Sequence, residues 1–198
     1  MFRKWILPSL GVIAIIAIAI VAFKALSKDG FSVPESFAEA RINGAVIADF
    51  LNKFSSDSVA VITEIEEKDR AQKYDEALNL TIQELNRVQE ARVKTIELLG
   101  ELEKMAASLP ALPQDEAQAL GMQAISTEMS LVDKLLNYNE KTRQLLDVLR
   151  MKFTSYTPEN FDIQTAEITK SMNEDALAIN ELNRKYQSLM EEFDGKLR

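Results

Sequence analysis

Five prolines and six glycines are all that this chain of 198 residues offers for turning. Apart from Pro8, the prolines fall at Pro34, Pro110, Pro113 and Pro158, so long stretches run without a break. Ala, Leu, Glu, Gln, Lys and Met fill those stretches, and these are good helix formers. Val and Ile beyond the first 25 residues are sparse and do not alternate, which argues against a sheet. The expected fold class is therefore all-α.

The spacing of apolar residues divides the chain. Pro34 suits the first position of a helix, with Glu35 in its first turn. From there two interleaved rows run along helix one: Ala40, Ile47, Phe54, Val61, and Phe37, Gly44, Leu51, Ser58, Ile65, with Val46, Phe50 and Ile62 widening the stripe. Helix two carries Leu78, Leu85, Arg92, Leu99, Ala106, with Tyr74, Thr81, Val88, Thr95, Leu102, Leu109 beside it. The phase of the two helices does not join across the charged run Glu66 to Lys73, so a turn is predicted there. Leu109-Pro110-Ala111-Leu112-Pro113 ends helix two and starts helix three, which has Asp115 and Glu116 in its first turn. Helix three carries Ile125, Met129, Val132, Leu136, Asn139, Arg143, Leu146, Arg150 and Phe153, with Leu135, Leu145 and Leu149 alongside. Thr157-Pro158-Glu159 reads as the start of helix four, whose residues Ile168, Met172, Asp175, Ile179, Leu182, Tyr186, Leu189 and Phe193 alternate in steps of four and three. These signals give helices of about 34, 39, 42 and 37 residues. Matched lengths and short connections predict an antiparallel up-down-up-down four-helix bundle over residues 34–198. A three-helix bundle with a bent arm, or an extended coiled coil, is the alternative.

Ahead of the bundle, Arg3, Lys4 and Trp5 precede an unbroken apolar run from Ile6 to Phe23. At ~1.5 Å per residue that run spans roughly 27 Å, close to a bilayer core. Residues 1–24 are predicted to form a single transmembrane signal anchor and residues 25–33 a tether. Ala17-Ile18-Ala19 offers a rival reading as a cleaved signal peptide, but apolar residues continue past it. Basic residues flank both ends of the run, so the charge rule is nearly balanced. The expected topology places the helical domain outside the cytoplasm, periplasmic or extracellular, because a signal anchor ahead of a long domain usually does.

Composition excludes much chemistry. The chain has no Cys and no His. Thiolate nucleophiles, Ser-His-Asp triads and the commonest zinc sites are ruled out. The net charge of −8 combines three basic residues and no acid in residues 1–24 with 20 basic and 31 acidic residues in the rest, a net of −11 there. The basic residues sit scattered beside acids, so a nucleic-acid partner is not expected. The sequence thus predicts no enzyme, no cofactor and no metal. It predicts a membrane-anchored noncatalytic scaffold or interaction module with a protein partner, and leaves self-association open. The alternative is a ligand-binding accessory or sensory subunit.

Two groups of residues are candidates for function. Arg92, Asn139, Arg143 and Asp175 interrupt apolar rows, the first, second and fourth at nearly one level of an antiparallel bundle and Arg143 one turn further out. They are expected to form an interior polar layer, either fixing register or holding a polar ligand. Leu109 and Leu112 make the connection after helix two unusually apolar. They are candidates for a membrane-proximal contact, against the alternative that they cap the base of the core.

Overall fold

The computed structural model describes residues 33–154 and 159–197. They form four helices: α1 (Glu35–Arg70), α2 (Tyr74–Ser108), α3 (Asp115–Phe153) and α4 (Phe161–Lys196), with a short 3-10 turn at Leu109–Ala111 between α2 and α3. No strand occurs among the described residues. Cross-helix contacts set the direction of each helix. At one end, here called the base, the Ser36 and Ser108 hydroxyls meet at 2.8 Å. There, too, the Phe37 and Phe193 rings lie 5.3 Å apart and Lys196 pairs with Glu116 at 2.7 Å. At the far end Tyr74 stacks on Phe153 with ring centroids 6.4 Å apart. Lys152 joins Asp69 there at 2.5 Å. Consecutive helices therefore run antiparallel around one core.

Among the described residues no helix is long and apolar enough to cross a membrane. The anchor assigned to residues 1–24 lies outside the described residues, as does the tether up to Ser32. Thr157 and Pro158, read as the start of helix four, also lie outside them; α4 begins at Phe161 after a turn at Glu159 and Asn160.

The turn between α1 and α2 falls in the charged run and uses neither Gly nor Pro. Gln72 adopts φ 60°, the left-handed conformation that usually falls to glycine. Its N–H donates to Asp69 C=O and the Lys73 N–H donates to Lys68 C=O, which closes the helix end with a nested pair of bonds. This turn is invisible to a search for Gly and Pro because a Gln occupies the glycine position. Gln72→Gly is expected to stabilise the fold by roughly 0.5–1 kcal/mol, read as a raised urea midpoint with unchanged slope.

The core follows steps of three and four along every helix, but in each helix part of one row lies one residue from the expected one. In α1 Ala48 and Ile62 are buried rather than Ile47 and Val61, with Val46 exposed, and in α4 Thr169, Asn183 and Met190 are buried rather than Ile168, Leu182 and Leu189. In α2 the inward rows are Thr81, Val88, Thr95, Leu102, Leu109 and Ala77, Glu84, Ala91, Leu98, Met105. The second row sits one residue before the expected Leu78, Leu85, Arg92, Leu99, Ala106. In α3 the seam runs Ala117, Gly121, Ala124, Glu128, Leu131, Leu135, Tyr138, Thr142, Leu145, with Ile125, Val132, Asn139 and Leu146 beside it. Met129, Leu136 and Arg143 are again one position off. The flanking leucines are half-buried at the edges of the core, while Ala, Thr and Glu fill its centre. Five of the interior threonines donate their hydroxyl to the carbonyl four residues back, so they pack as shape-filling branched side chains with no unmet donor.

Leu109 and Leu112, the candidates for a membrane-proximal contact, are 2% and 3% exposed and face the core, as in the alternative that they cap its base. The reason is Gly121: a Cβ there would stand 2.6 Å from Leu109 Cδ2 and 3.1 Å from the Phe193 ring. The missing side chain lets Leu109 enter the base of the bundle.

Candidate functional site

The four residues expected to share an interior layer are not brought together there. Asn139 is buried, and its Nδ2 donates to Thr95 Oγ1 at 3.3 Å. Asp175 is buried on the α4 side and pairs with Lys134 at 3.1 Å. Arg92 and Arg143 are exposed. They flank Glu140 on the outer face between α2 and α3, where the Arg143 guanidinium bonds both Glu140 oxygens, at 2.7 and 3.0 Å. These bonds, with the nearby positive charge of Arg92, hold the Glu140 carboxyl down at about 2. Arg92 and Asn139 do stand at nearly one level, since Asn139 bonds Thr95 within one turn of Arg92. The one-position difference in the inward row turns both arginines out of the core.

The same difference brings two glutamates in. Glu84 and Glu128 are 0% and 1% exposed. Glu84 Oε2 accepts from Arg87 at 2.9 Å, and Arg87 also reaches Asp57 at 3.5 Å and lies over the Phe54 ring. Glu84 Oε1 has no partner, nor has the hydroxyl of Ser55 on α1. Glu84 is thus a half-satisfied carboxylate tethered to a surface arginine.

Glu128 is the more unusual group. Neither of its oxygens has a hydrogen-bond partner. Burial pushes its carboxyl up to about 8, so at neutral pH the neutral acid predominates. The register of α3 against α4 shows what it faces. Lys134–Asp175 lies about two turns above it and Glu116–Lys196 about three and a half turns below. Those pairs set Glu128 opposite Asn183 and Tyr186, both buried on the inward row of α4. Tyr186 feels the Glu128 charge directly: burial raises the phenol's pKa and the carboxylate raises it further. Asn183 Oδ1 is also buried without a partner. Buried acceptors left without a partner are stabilised by a proton or by a donor-bearing guest. The neutral acid form of Glu128 supplies one donor.

Beyond Tyr186 stands Arg41 of α1, which makes two bonds to Asp194 of α4 at 2.8 and 2.9 Å. Burial opposes the Arg41 charge, but the Asp194 bonds outweigh it and leave the guanidinium more firmly protonated. This pair joins α1 to α4 beside the buried acid.

Outside the same stretch, α3 and α4 leave an open groove of about 630 Å³ lined in part by Gln123, Ser126, Thr127, Ser130, Leu182 and Lys185. Thr127 and Leu182 are the sequence neighbours of Glu128 and Asn183, so groove and buried acid occupy one level. The Thr127 and Ser130 hydroxyls donate to their own helix, which leaves their oxygens as acceptors. Among the described residues no group of three or more acidic side chains is placed to hold a metal. Glu84 and Glu128 are hidden in the sequence because Leu85 and Met129, the large apolar neighbours one position on, set the apparent inward row. Testing every phase of the three-four spacing would have found both. Comparison with known proteins finds no family model, no curated protein and no solved structure that matches the chain.

Proposed function

We propose that this protein is a membrane-anchored, noncatalytic helical scaffold. Its bundle stands outside the cytoplasm on a single N-terminal span and offers its outer faces to a protein partner. The observation that carries this reading is a rod of four matched helices tied across both ends. The Ser36–Ser108 and Lys196–Glu116 contacts close the base, and Tyr74–Phe153 and Lys68–Glu76 close the far end. Each helix of 35 to 39 residues is ~50 Å long, so the far end is held well away from the base. The base is where the chain arrives from the apolar run Ile6–Phe23. A rod so placed acts as a spacer and a platform.

A second reading is favoured by the Glu128 environment: an accessory or sensory subunit that binds a small polar guest between α3 and α4. The supporting features are the unpartnered Glu128 and Asn183 oxygens, with an open groove containing Lys185 outside them. Native mass spectrometry of the full chain released from detergent separates the two. Protein mass alone, or protein with a co-purifying protein, is expected for the scaffold. A stoichiometric small-molecule adduct that disappears in Asn183→Leu would favour the guest-binding reading instead.

A further inference from the structure

The outward face of α2 is not polar throughout. Directly opposite the core rows lies a second stripe: Ile82, Asn86, Gln89, Val93, Ile96 and Gly100. Its steps alternate four and three, the spacing of a helix that packs on another helix. Ile82, Val93 and Ile96 are 43%, 46% and 51% exposed. Gly100 has nothing within 4 Å of where a Cβ would be, so the backbone itself is open to approach. Singly exposed aliphatic residues need no explanation. Three branched ones on one helical line, ending at an open glycine, form a seam with no partner inside the bundle.

We propose that this seam pairs with the same seam of a second copy, α2 against α2 in parallel, to give a homodimer. Two features choose the occupant and the direction. The first is charge. Arg92 flanks the seam on the α3 side and Glu97 on the α1 side. In a parallel pair these positions, five residues apart, meet across the interface twice, Arg92 of each copy with Glu97 of the other. In an antiparallel pair, like-charged flanks face each other instead. Arg92 makes no hydrogen bond or close ion pair among the described residues, while Glu97 carries an exposed bond to Lys94 at 2.7 Å. The second feature is the polar residue within the seam. Asn86 occupies the same seam position as Val93, where one Asn meeting its own copy fixes register and favours two parallel strands. Such a dimer has its two-fold axis along the helices and puts both base ends on one side. The inference does not depend on the membrane reading, although both copies of an anchored chain would satisfy it.

The chain has no native Cys, so single cysteines report proximity unambiguously. Gln89→Cys, Ile96→Cys and, as a control outside the seam, Ile163→Cys are introduced into the full chain and oxidised in membranes or detergent. Covalent dimer is read on a non-reducing gel. Gln89→Cys and Ile96→Cys are expected to cross-link at least fivefold more than Ile163→Cys. Adding Val93→Glu should abolish the cross-link while circular dichroism shows unchanged helix content. Arg92→Glu should weaken it, and Arg92→Glu with Glu97→Arg should restore it. Cross-linking at Gln89→Cys but not at Ile96→Cys means antiparallel pairing and overturns the proposal. So does equal cross-linking at Ile163→Cys, or a cross-link indifferent to Val93→Glu, or none at either seam position.

Discussion

Glu128→Leu is expected to raise the melting temperature at pH 8 by roughly 6–12 °C, for a gain on the order of 3 kcal/mol. The reason is the isolation of the carboxyl within the α3 seam, with both oxygens unpartnered. The titratable and charged groups near it are Tyr186 and, further out, the Arg41–Asp194 pair. At this end α1 contributes Ala45 and Ala48 to the core and α2 contributes Leu98 and Leu102, none of which can hydrogen-bond through its side chain. In the unfolded chain Glu128 ionises in the ordinary carboxylate range, whereas in the fold it holds its proton up to about 8. The folded state therefore binds more protons across that window, and stability falls as pH rises through it. The contribution is complete below the ordinary carboxylate range and gone above about 8. Leu does not titrate, so the advantage of the variant should widen from pH 4 to pH 8 and then level off. Melting curves that stay parallel at every pH would show that Glu128 is already ionised and paired.

Arg41→Met should move stability as far in the other direction. It strips two hydrogen bonds from Asp194, whose side chain is only 7% exposed. Breaking a buried pair on one side leaves a charge with no counterpart, at about 3 kcal/mol or a fall of roughly 6–12 °C. Arg41→Met with Asp194→Leu should recover most of the loss, because replacing both partners by apolar groups removes the stranded charge. A double variant no more stable than Arg41→Met would mean that the arginine stabilises the fold other than through Asp194.

Much of this architecture is legible in the sequence. Pro34 and the Leu109–Pro113 segment mark the beginning of α1 and the junction of α2 and α3 within a residue or two. The rows containing Phe37, Gly44, Leu51, Ser58 and Ile65 in α1, and Thr81, Val88, Thr95, Leu102 and Leu109 in α2, do face the core. The second inward row of α2 lies one position before the leucines for a physical reason. Leu78, Leu85 and Leu99 are large and apolar, yet they sit at the edges of the core. Ala77, Glu84 and Ala91 occupy its centre, where helices approach closely and small side chains fit. Weighting by hydrophobicity follows the leucines. Weighting by size and spacing follows the seam. The same one-residue difference separates the candidate site of the sequence from that of the structure: it turns Arg92 and Arg143 outward and brings Glu84 and Glu128 into the core. Gln72 was illegible for another reason: its left-handed backbone is imposed by the two helix ends it joins, not by its own preference. The inward turn of Leu109 required knowing that Gly121, a dozen residues later, lies against it.

The central claim, a helical scaffold on a membrane span, is tested most directly by washing membranes that carry the full chain with alkaline carbonate. The chain is expected to stay with the pellet, to be released by detergent, and to lose pellet association when residues 1–24 are deleted. Release of the full chain by carbonate alone would contradict the anchor and leave a bundle that only rests on the membrane or never meets it.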